Sequence, residues 1–388
     1  MAVGGLGEWT VTTKLASKLS GERMKYCTNC VMPDTRPRIT FDERGWCNAC
    51  QWAEEKKGLD WPSRWELLVE LCDKYRSKTG FDCIVPVSGG KDSSYVAYMM
   101  KHRLGMNPLC VTIRPNLELD VGRQNLINFI NAGYDHIHLT PDPDISREID
   151  RLGFVEAGRP LLGWQTAVQT SIFRFAQKLS IPFVMFGEDG ETEYGGAKKL
   201  KHSHYYDAGD AVNIYLEGHD PNRYADKFDK SKLYLFSFPT AEELIEADVC
   251  IAHWSYFENW DPYEHYLVAK EKCGLQEQKE RATASYNNFA QTDTALYNLH
   301  AWLMYLKFGF GRCSQDVGID IRRGAMSRKQ GISLVKRFDK ETPTQFIPLY
   351  LEYFGMSLDA FNETLAKHVN KSLFEFRNGV WEPTFEPK

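Results

Sequence analysis

The chain has 388 residues, a net charge of −5, 43% hydrophobic residues and 13% aromatic residues, a composition able to bury a large core as one α/β domain with additions or as two domains. No stretch approaches the roughly 18 consecutive apolar residues of a membrane helix, and the first twenty residues lack the apolar centre of a secretory signal. A cytoplasmic protein without a membrane partner is therefore expected, and the acidic balance supplies no general pull toward nucleic acid.

After a polar leader, Cys27, Cys30, Cys47 and Cys50 form two CxxC pairs separated by sixteen residues, the spacing of a four-thiolate zinc site. A 4Fe–4S cluster also accepts four thiolates. A helix is predicted over 62–76 from Trp65, Leu68, Val69 and Cys72, followed by a strand over 82–87. Further helices are predicted over 93–104, 121–132 and 161–179, and strands over 109–113, 136–139 and 183–186. This alternation predicts a parallel, doubly wound, Rossmann-like sheet. From 194 to 247 the periodicity weakens while Gly, His, Tyr, Lys and Asp accumulate, which reads as a functional insertion. A last strand is predicted over 249–256, and helical patterning dominates afterwards, as over 295–306. The expected organisation is a leader with a zinc-knuckle module (1–58), a nucleotide domain with its insertion (59–270) and a mostly helical C-terminal region (271–388).

The stretch Ser88-Gly89-Gly90-Lys91-Asp92-Ser93-Ser94 joins an apolar strand to a helix start. Its glycines allow a tight turn with N–H groups facing inward, its hydroxyls add donors, and the helix N-terminus favours anions. Lys91 can neutralise phosphate. The Walker spacing does not fit, because Val85 stands where its first glycine belongs and Asp92 follows the lysine. SGGKDS instead resembles the pyrophosphate loop of ATP pyrophosphatases, which cleave ATP between the α and β phosphates. Triphosphate chemistry needs Mg²⁺, for which Asp92 and either Glu188 or Asp189 are the candidate ligands. A helix-start residue and a solvated turn are the structural alternatives for these acids. Downstream, Arg312, Arg322, Arg323 and Arg328 lie among glycines, suited to clamping phosphate or carboxylate, although Ser327 also reads as an N-cap. His204, in the insertion, is a further substrate candidate. The six cysteines outside the CxxC pairs sit in apolar patterns and read as packing residues.

Together, Cys27-Thr28-Asn29-Cys30-Val31-Met32-Pro33-Asp34-Thr35, the Cys47-Asn48-Ala49-Cys50 knuckle, SGGKDSS, Gly187-Glu188-Asp189-Gly190 and the segment 322–328 resemble the N-acetyl sugar amidotransferases. The resemblance implies ATP-dependent conversion of a sugar acetamido group to an acetamidino group in bacterial surface glycan synthesis. It assigns pyrophosphate binding to Ser88, Gly89, Gly90, Ser93 and Ser94, charge compensation to Lys91, and Mg²⁺ to Asp92 with Glu188 or Asp189. Arg322, Arg323, Arg328 and the insertion would recognise a nucleotide-linked N-acetylated sugar. No glutaminase-like cysteine is evident, so a separate glutaminase subunit is the expected source of ammonia. The rival readings are a tRNA-thiolating or other RNA-modifying adenylase and a non-catalytic nucleotide-binding scaffold.

Overall fold

Five short apolar strands form a parallel sheet in the order β3-β2-β1-β4-β5 in a computed structural model describing residues 24–78, 80–196, 198, 200–224 and 226–388. The leader to residue 23 lies outside the described residues. The strands are β1 (Cys83–Pro86), β2 (Pro108–Ile113), β3 (His136–Leu139), β4 (Phe183–Phe186) and β5 (Cys250–His253). Ile84 pairs with Leu109 on one side and Val184 on the other. Both sheet faces are covered, which explains the continuous hydrophobicity of β1, β2 and β4, while the edge strand β3, His-Ile-His-Leu, alternates and is only partly buried. Cys83, Val85, Phe183 and Met185 face one core with Val96, Phe129 and Cys273; Ile84, Val111, Val184 and Ile251 face another with Ile149 and Ile172.

Helices α1 (Asn48–Glu55) and α2 (Trp61–Tyr75) precede the sheet. Helix α3 (Lys91–Tyr98) follows β1 and runs on through a π-helical turn, Met99–Arg103; α4 (Asp120–Asn131) follows β2. Two helices then separate β3 from β4: α5 (Pro143–Ala157) and α6 (Leu162–Lys178). The sequence reading had no place for α5, because acids and arginines interrupt its apolar stripe Ile145-Ile149-Leu152. Its start signal was present nonetheless: Asp142 caps the N–H groups of Asp144 and Ile145, and Pro143 occupies the first turn.

After β4 come α7 (Gly190–Tyr194) and the insertion, built of short turns and helices that include α8 (Ala208–Asp210) and α9 (Ala241–Glu246). Tyr206 and Phe236 are buried in the same core as α6, Tyr206 with its ring edge-on to Phe173, and Thr170 donates to the Leu235 carbonyl at 2.6 Å. Beyond β5, helix α10 (Pro262–Cys273) packs on α3. The C-terminal region comprises α11 (Leu296–Phe308), α12 (Arg312–Arg322), α13 (Arg328–Phe338), α14 (Ile347–Phe354) and α15 (Leu358–His368). It ends in an antiparallel hairpin, β6 (Phe374–Arg377) with β7 (Val380–Pro383), which the helical reading did not contain. Among the described residues no helix is long and apolar enough to cross a membrane.

Asp150 ties three of these elements together. It accepts hydrogen bonds from Gly163 N (2.7 Å), Asn116 Nδ2 (2.9 Å) and Tyr353 Oη (2.9 Å), and burial pushes its carboxyl up to about 7. A carboxyl raised above its unfolded value contributes stability at low pH that is lost as pH rises through the folded value. Urea unfolding at pH 5 and pH 7.5 should therefore show the wild type losing stability relative to Asp150→Asn, which cannot ionise; parallel pH dependences would contradict a buried protonated carboxyl.

Candidate active site

The strand order places β1 next to β4, with β2 and β3 to one side and β5 to the other. At such a switch point the connections leave in opposite directions, opening a crevice beyond the strand ends. The loop Ser88-Gly89-Gly90 leaves β1 there, and Gly187-Glu188-Asp189-Gly190 leaves β4. Gly89 adopts φ +78°, and a Cβ there would lie 2.5 Å from the backbone nitrogen of Leu126 and 2.8 Å from the carbonyl carbon of Asn125 in α4. The turn can rest against α4 only because this residue has no side chain. Inside it, Ser88 N donates to Ser93 Oγ (3.2 Å) and Gly90 N to Ser88 Oγ (3.3 Å).

Ser88, Gly90, Lys91, Asp92 and Ser93 line a cavity of about 420 Å³. Ser94 does not; it is fully buried on the side facing α10. Lys91 and Asp92 form an ion pair, and the other Asp92 oxygen lies 3.1 Å from Nδ1 of His265. His265, on α10, is buried, stacked on Tyr95 at 4.0 Å and flanked by the ring of Trp260. Burial works against the Asp92 charge, but Lys91 and His265 hold its carboxyl down at about 2. Glu188, across the cavity, is pushed up to about 7, first by burial and then by the Asp92 charge, against the pull of Lys91. Two neighbouring carboxyls are thus driven apart in acidity, a common arrangement where acids do different work.

Asp189 has another environment. It caps α7, accepting from Glu191 N (3.1 Å) and from the Thr192 hydroxyl, and burial pushes it up to about 6. It also receives the Tyr215 hydroxyl at 3.3 Å, which lies 2.8 Å from Nε2 of His253. Asp189 does not line the cavity, whereas Tyr215 does. The C-terminal region closes the remaining side with Asp293, Tyr297 and Arg312. Burial pushes Asp293 up to about 6, with a hydrogen bond from Ser88 opposing it; Arg312 pairs with Asp316 at 2.7 Å. Neither His265 nor Asp293 carried a local sequence signal, since each depends on residues far away in the chain.

None of Arg322, Arg323, Arg328 and His204 lines this cavity. Arg328 donates to the carbonyls of Cys30 (2.8 Å) and Cys27 (3.0 Å), while Ser327 caps α13 as its sequence suggested. Arg322 donates to the Glu193 carbonyl at 3.0 Å, with its guanidinium beside the cysteines. Arg323 pairs with Asp320 at 2.7 Å. The His204 ring packs near Tyr256 and Phe257.

Cys27, Cys30, Cys47 and Cys50 converge in a buried cluster whose sulfurs all lie within 4.8 Å of one another, a donor set able to hold a metal ion. The Cys30 and Cys47 amides point at the Cys27 sulfur, at 3.4 and 3.2 Å. This module grips the helix that follows Glu188. Asn48 Nδ2 donates to the Gly196 carbonyl (2.7 Å), Trp52 Nε1 and Lys56 Nζ reach the Glu193 carboxylate (3.0 and 2.9 Å), and Arg38 pairs with Glu191 through two contacts of 2.8 Å.

Residues 283–386 match the family model described as LPS biosynthesis protein WbpG-like, C-terminal domain. This match fits the amidotransferase resemblance, whose motifs lie mostly nearer the N-terminus but include the segment 322–328 within the matched range. No curated protein matches the chain. Among solved structures, one similar chain is a predicted subunit of tRNA methyltransferase from Methanocaldococcus jannaschii, with 12% identity, TM-score 0.27, and coverage of 57% of this chain and 86% of that one. Another is the U34-tRNA thiolase NcsA from Methanococcus maripaludis, solved with its 4Fe–4S cluster, with 12% identity, TM-score 0.30, and coverage of 68% and 79%.

Substituting Gly89→Ala tests the loop geometry. The new methyl meets backbone rather than a movable side chain, so the turn must pull away from α4. Calorimetric titration should show ATP affinity reduced at least about tenfold, with a lowered melting temperature; wild-type affinity would mean that the loop does not hold nucleotide in this conformation.

Proposed function

We propose that this protein is an ATP-dependent amidotransferase that converts an acetamido group of a nucleotide-linked sugar into an acetamidino group during surface glycan synthesis. The observation that carries the reading is the cavity itself: pyrophosphate-loop residues and Glu188 on two sides, and on the third a segment matching a domain of LPS biosynthesis proteins. The wall contributed by that segment supports a nucleotide site adapted to a glycan substrate.

An amide carbon is a poor electrophile. Attack of the amide oxygen on the α-phosphorus of ATP expels pyrophosphate and leaves an imidate bearing AMP. Ammonia then adds to the imidate carbon, loses a proton, and displaces AMP with the electron pair of its C–O bond. In this scheme Ser88, Gly90 and Ser93 donate to the departing pyrophosphate, supported by Gly89 in the turn. Lys91 exchanges its pairing with Asp92 for the phosphate charge that grows in the transition state. Asp92 and Glu188, hard oxygen donors on facing loops, suit Mg²⁺, which would neutralise phosphate charge when bound. Glu188 is the better second donor because Asp189 is engaged in capping α7.

All ten cysteines are buried, four in the cluster and the rest in the core. None offers the accessible thiolate that glutamine hydrolysis requires, which favours ammonia from a separate glutaminase. The same burial weighs against an RNA-thiolating enzyme, since Cys83 and Cys110 lie inside strands and burial pushes both thiols up. For the cysteine cluster we favour zinc. The Cys27–Cys50 and Cys30–Cys47 sulfur separations are both 3.7 Å, and a tetrahedron with Zn–S bonds of about 2.3 Å has edges of about 3.8 Å. A 4Fe–4S cube spreads its cysteine sulfurs over a wider tetrahedron. Arg322 beside the thiolates offsets the negative charge that four of them leave around a divalent ion.

Purified protein given Mg-ATP and ammonium should release AMP and pyrophosphate only with an appropriate UDP-linked N-acetylated amino sugar, and the sugar product should be about one mass unit lighter as NH replaces oxygen. Glu188→Gln should lower the rate by about 10² or more. Pyrophosphate release provoked by tRNA instead of sugar would overturn the assignment, and silence with both would favour a nucleotide-binding scaffold. Elemental analysis should find one zinc per chain without inorganic sulfide; stoichiometric iron and sulfide would replace zinc with a cluster.

A further inference from the structure

A second cavity, of about 380 Å³, lies on the other side of the β4 loop. Its walls include two indoles, Trp61 at the start of α2 and Trp260 just before α10. Trp260 is also the partition toward the first cavity, because a Cβ on Gly187 would come within 3.1 Å of its ring. Lys56, Lys57, Arg322 and Arg323 line the same space, against two carboxylates. Glu193 is committed elsewhere, and Asp261 is shared between a helix cap and a long pairing with Arg323 at 3.7 Å. Glu193 is held by Lys56 at 2.9 Å in a pair about nine-tenths buried, and Asp261 caps α10 through the N–H groups of Tyr263 and Glu264.

Arg322 is held by the Glu193 carbonyl, whereas Lys57 and Arg323 have exchangeable partners. Lys57, with its side chain 72% exposed, pairs with Glu54, and Arg323 pairs with Asp320 at the rim. The Lys57–Glu54 pair is exposed and the Arg323–Asp320 pair partly so, and water-facing pairs of this kind are weak enough for phosphate oxygens to replace them. Guanidinium groups fit phosphate bidentately, and an indole face stacks on a nucleobase of any sequence. The volume lies within the range of small-molecule sites, roughly 300–1,000 Å³. Two indoles together with a cluster of cations match a ligand that is both aromatic and multiply anionic.

We infer that the second cavity binds the nucleoside diphosphate end of the sugar substrate, with the base against Trp61 and Trp260 and the phosphates on Lys57 and Arg323. The sugar would then extend past Trp260 toward Glu188. This rests on the reading of a nucleotide-linked substrate, but its test does not need turnover. UDP titrated calorimetrically into protein whose first cavity is saturated with a non-hydrolysable ATP analogue and Mg²⁺ should bind. The double variant Lys57→Gln/Arg323→Gln should weaken UDP at least about tenfold while leaving affinity for the ATP analogue unchanged, and Trp61→Leu should weaken UDP but not inorganic pyrophosphate. Equal affinity for UDP in wild type and double variant, displacement of UDP by the ATP analogue, or pyrophosphate binding as tightly as UDP would each overturn the inference. UDP bound as described without conversion of any N-acetylated sugar would leave this site standing and remove the amidotransferase reading. Turnover with an unchanged KM for the sugar in the double variant would do the reverse.

Discussion

Because β1 and β4 are neighbours while their connections depart to opposite sides, Lys91 and Asp92 on one loop must face Glu188 on the other across a narrow gap. Everything else at the site answers the electrostatic problem this creates. One lysine cannot satisfy two carboxyls in a poorly hydrated crevice, so Asp92 takes the lysine and the imidazole while Glu188 rises toward neutrality. Lys91 thus shares one cavity with two carboxyls of unequal acidity. The imbalance is therefore set by the loop geometry itself, through burial and the neighbouring Asp92 charge.

Holding that gap constant requires support from behind the loops. On the β1 side, α10 packs against α3 and delivers His265 to Asp92. On the β4 side the supporting body is the cysteine module, whose Asn48, Trp52, Lys56 and Arg38 all attach to the stretch between Glu191 and Gly196. A segment of this size has little core of its own, and crosslinking its four cysteines through an ion would supply the rigidity it needs to act as a buttress. The module is then coupled mechanically to the active site rather than chemically. Arg322 and Arg328 belong to that coupling, since both donate to backbone carbonyls at the junction of the module, α7 and the C-terminal helices.

How much of this could be read from the sequence depended on how local each signal was. The cysteine spacing, SGGKDSS and the four-residue apolar strands state their requirements within a few residues, and their positions in the fold agree with the reading to within one or two residues for most strands. Helix α5 is hard to read because its apolar stripe is interleaved with Asp144, Arg147, Glu148 and Arg151 and includes the buried Asp150, so periodicity fails where the Asp-Pro cap succeeds. The 322–328 arginines were readable as cations but not as to their partners; composition cannot distinguish a guanidinium that meets phosphate from one that meets the Cys27 and Cys30 carbonyls. His265 stands 173 positions from Asp92, and Asp293 reaches Ser88 from a different region of the chain. Only the folded chain brings such pairs together.

The C-terminal region makes the same point about function. A nucleotide-binding sheet of this topology is shared widely, and by itself it says little about what is activated at the α-phosphate. Here the sheet's crevice is left open on one side, and the segment from 289 to 312 closes it with Asp293, Tyr297 and Arg312. Thr292 presses so closely on α4 that Gly122 has no space for a Cβ, its carbonyl oxygen lying 2.2 Å from where that atom would be. A wall attached by such backbone packing is not an adaptable surface loop but part of the pocket's fixed shape. The cavity is thus shaped where the parallel sheet meets the segment that matches the LPS biosynthesis domain, and residues on that seam fix its third wall.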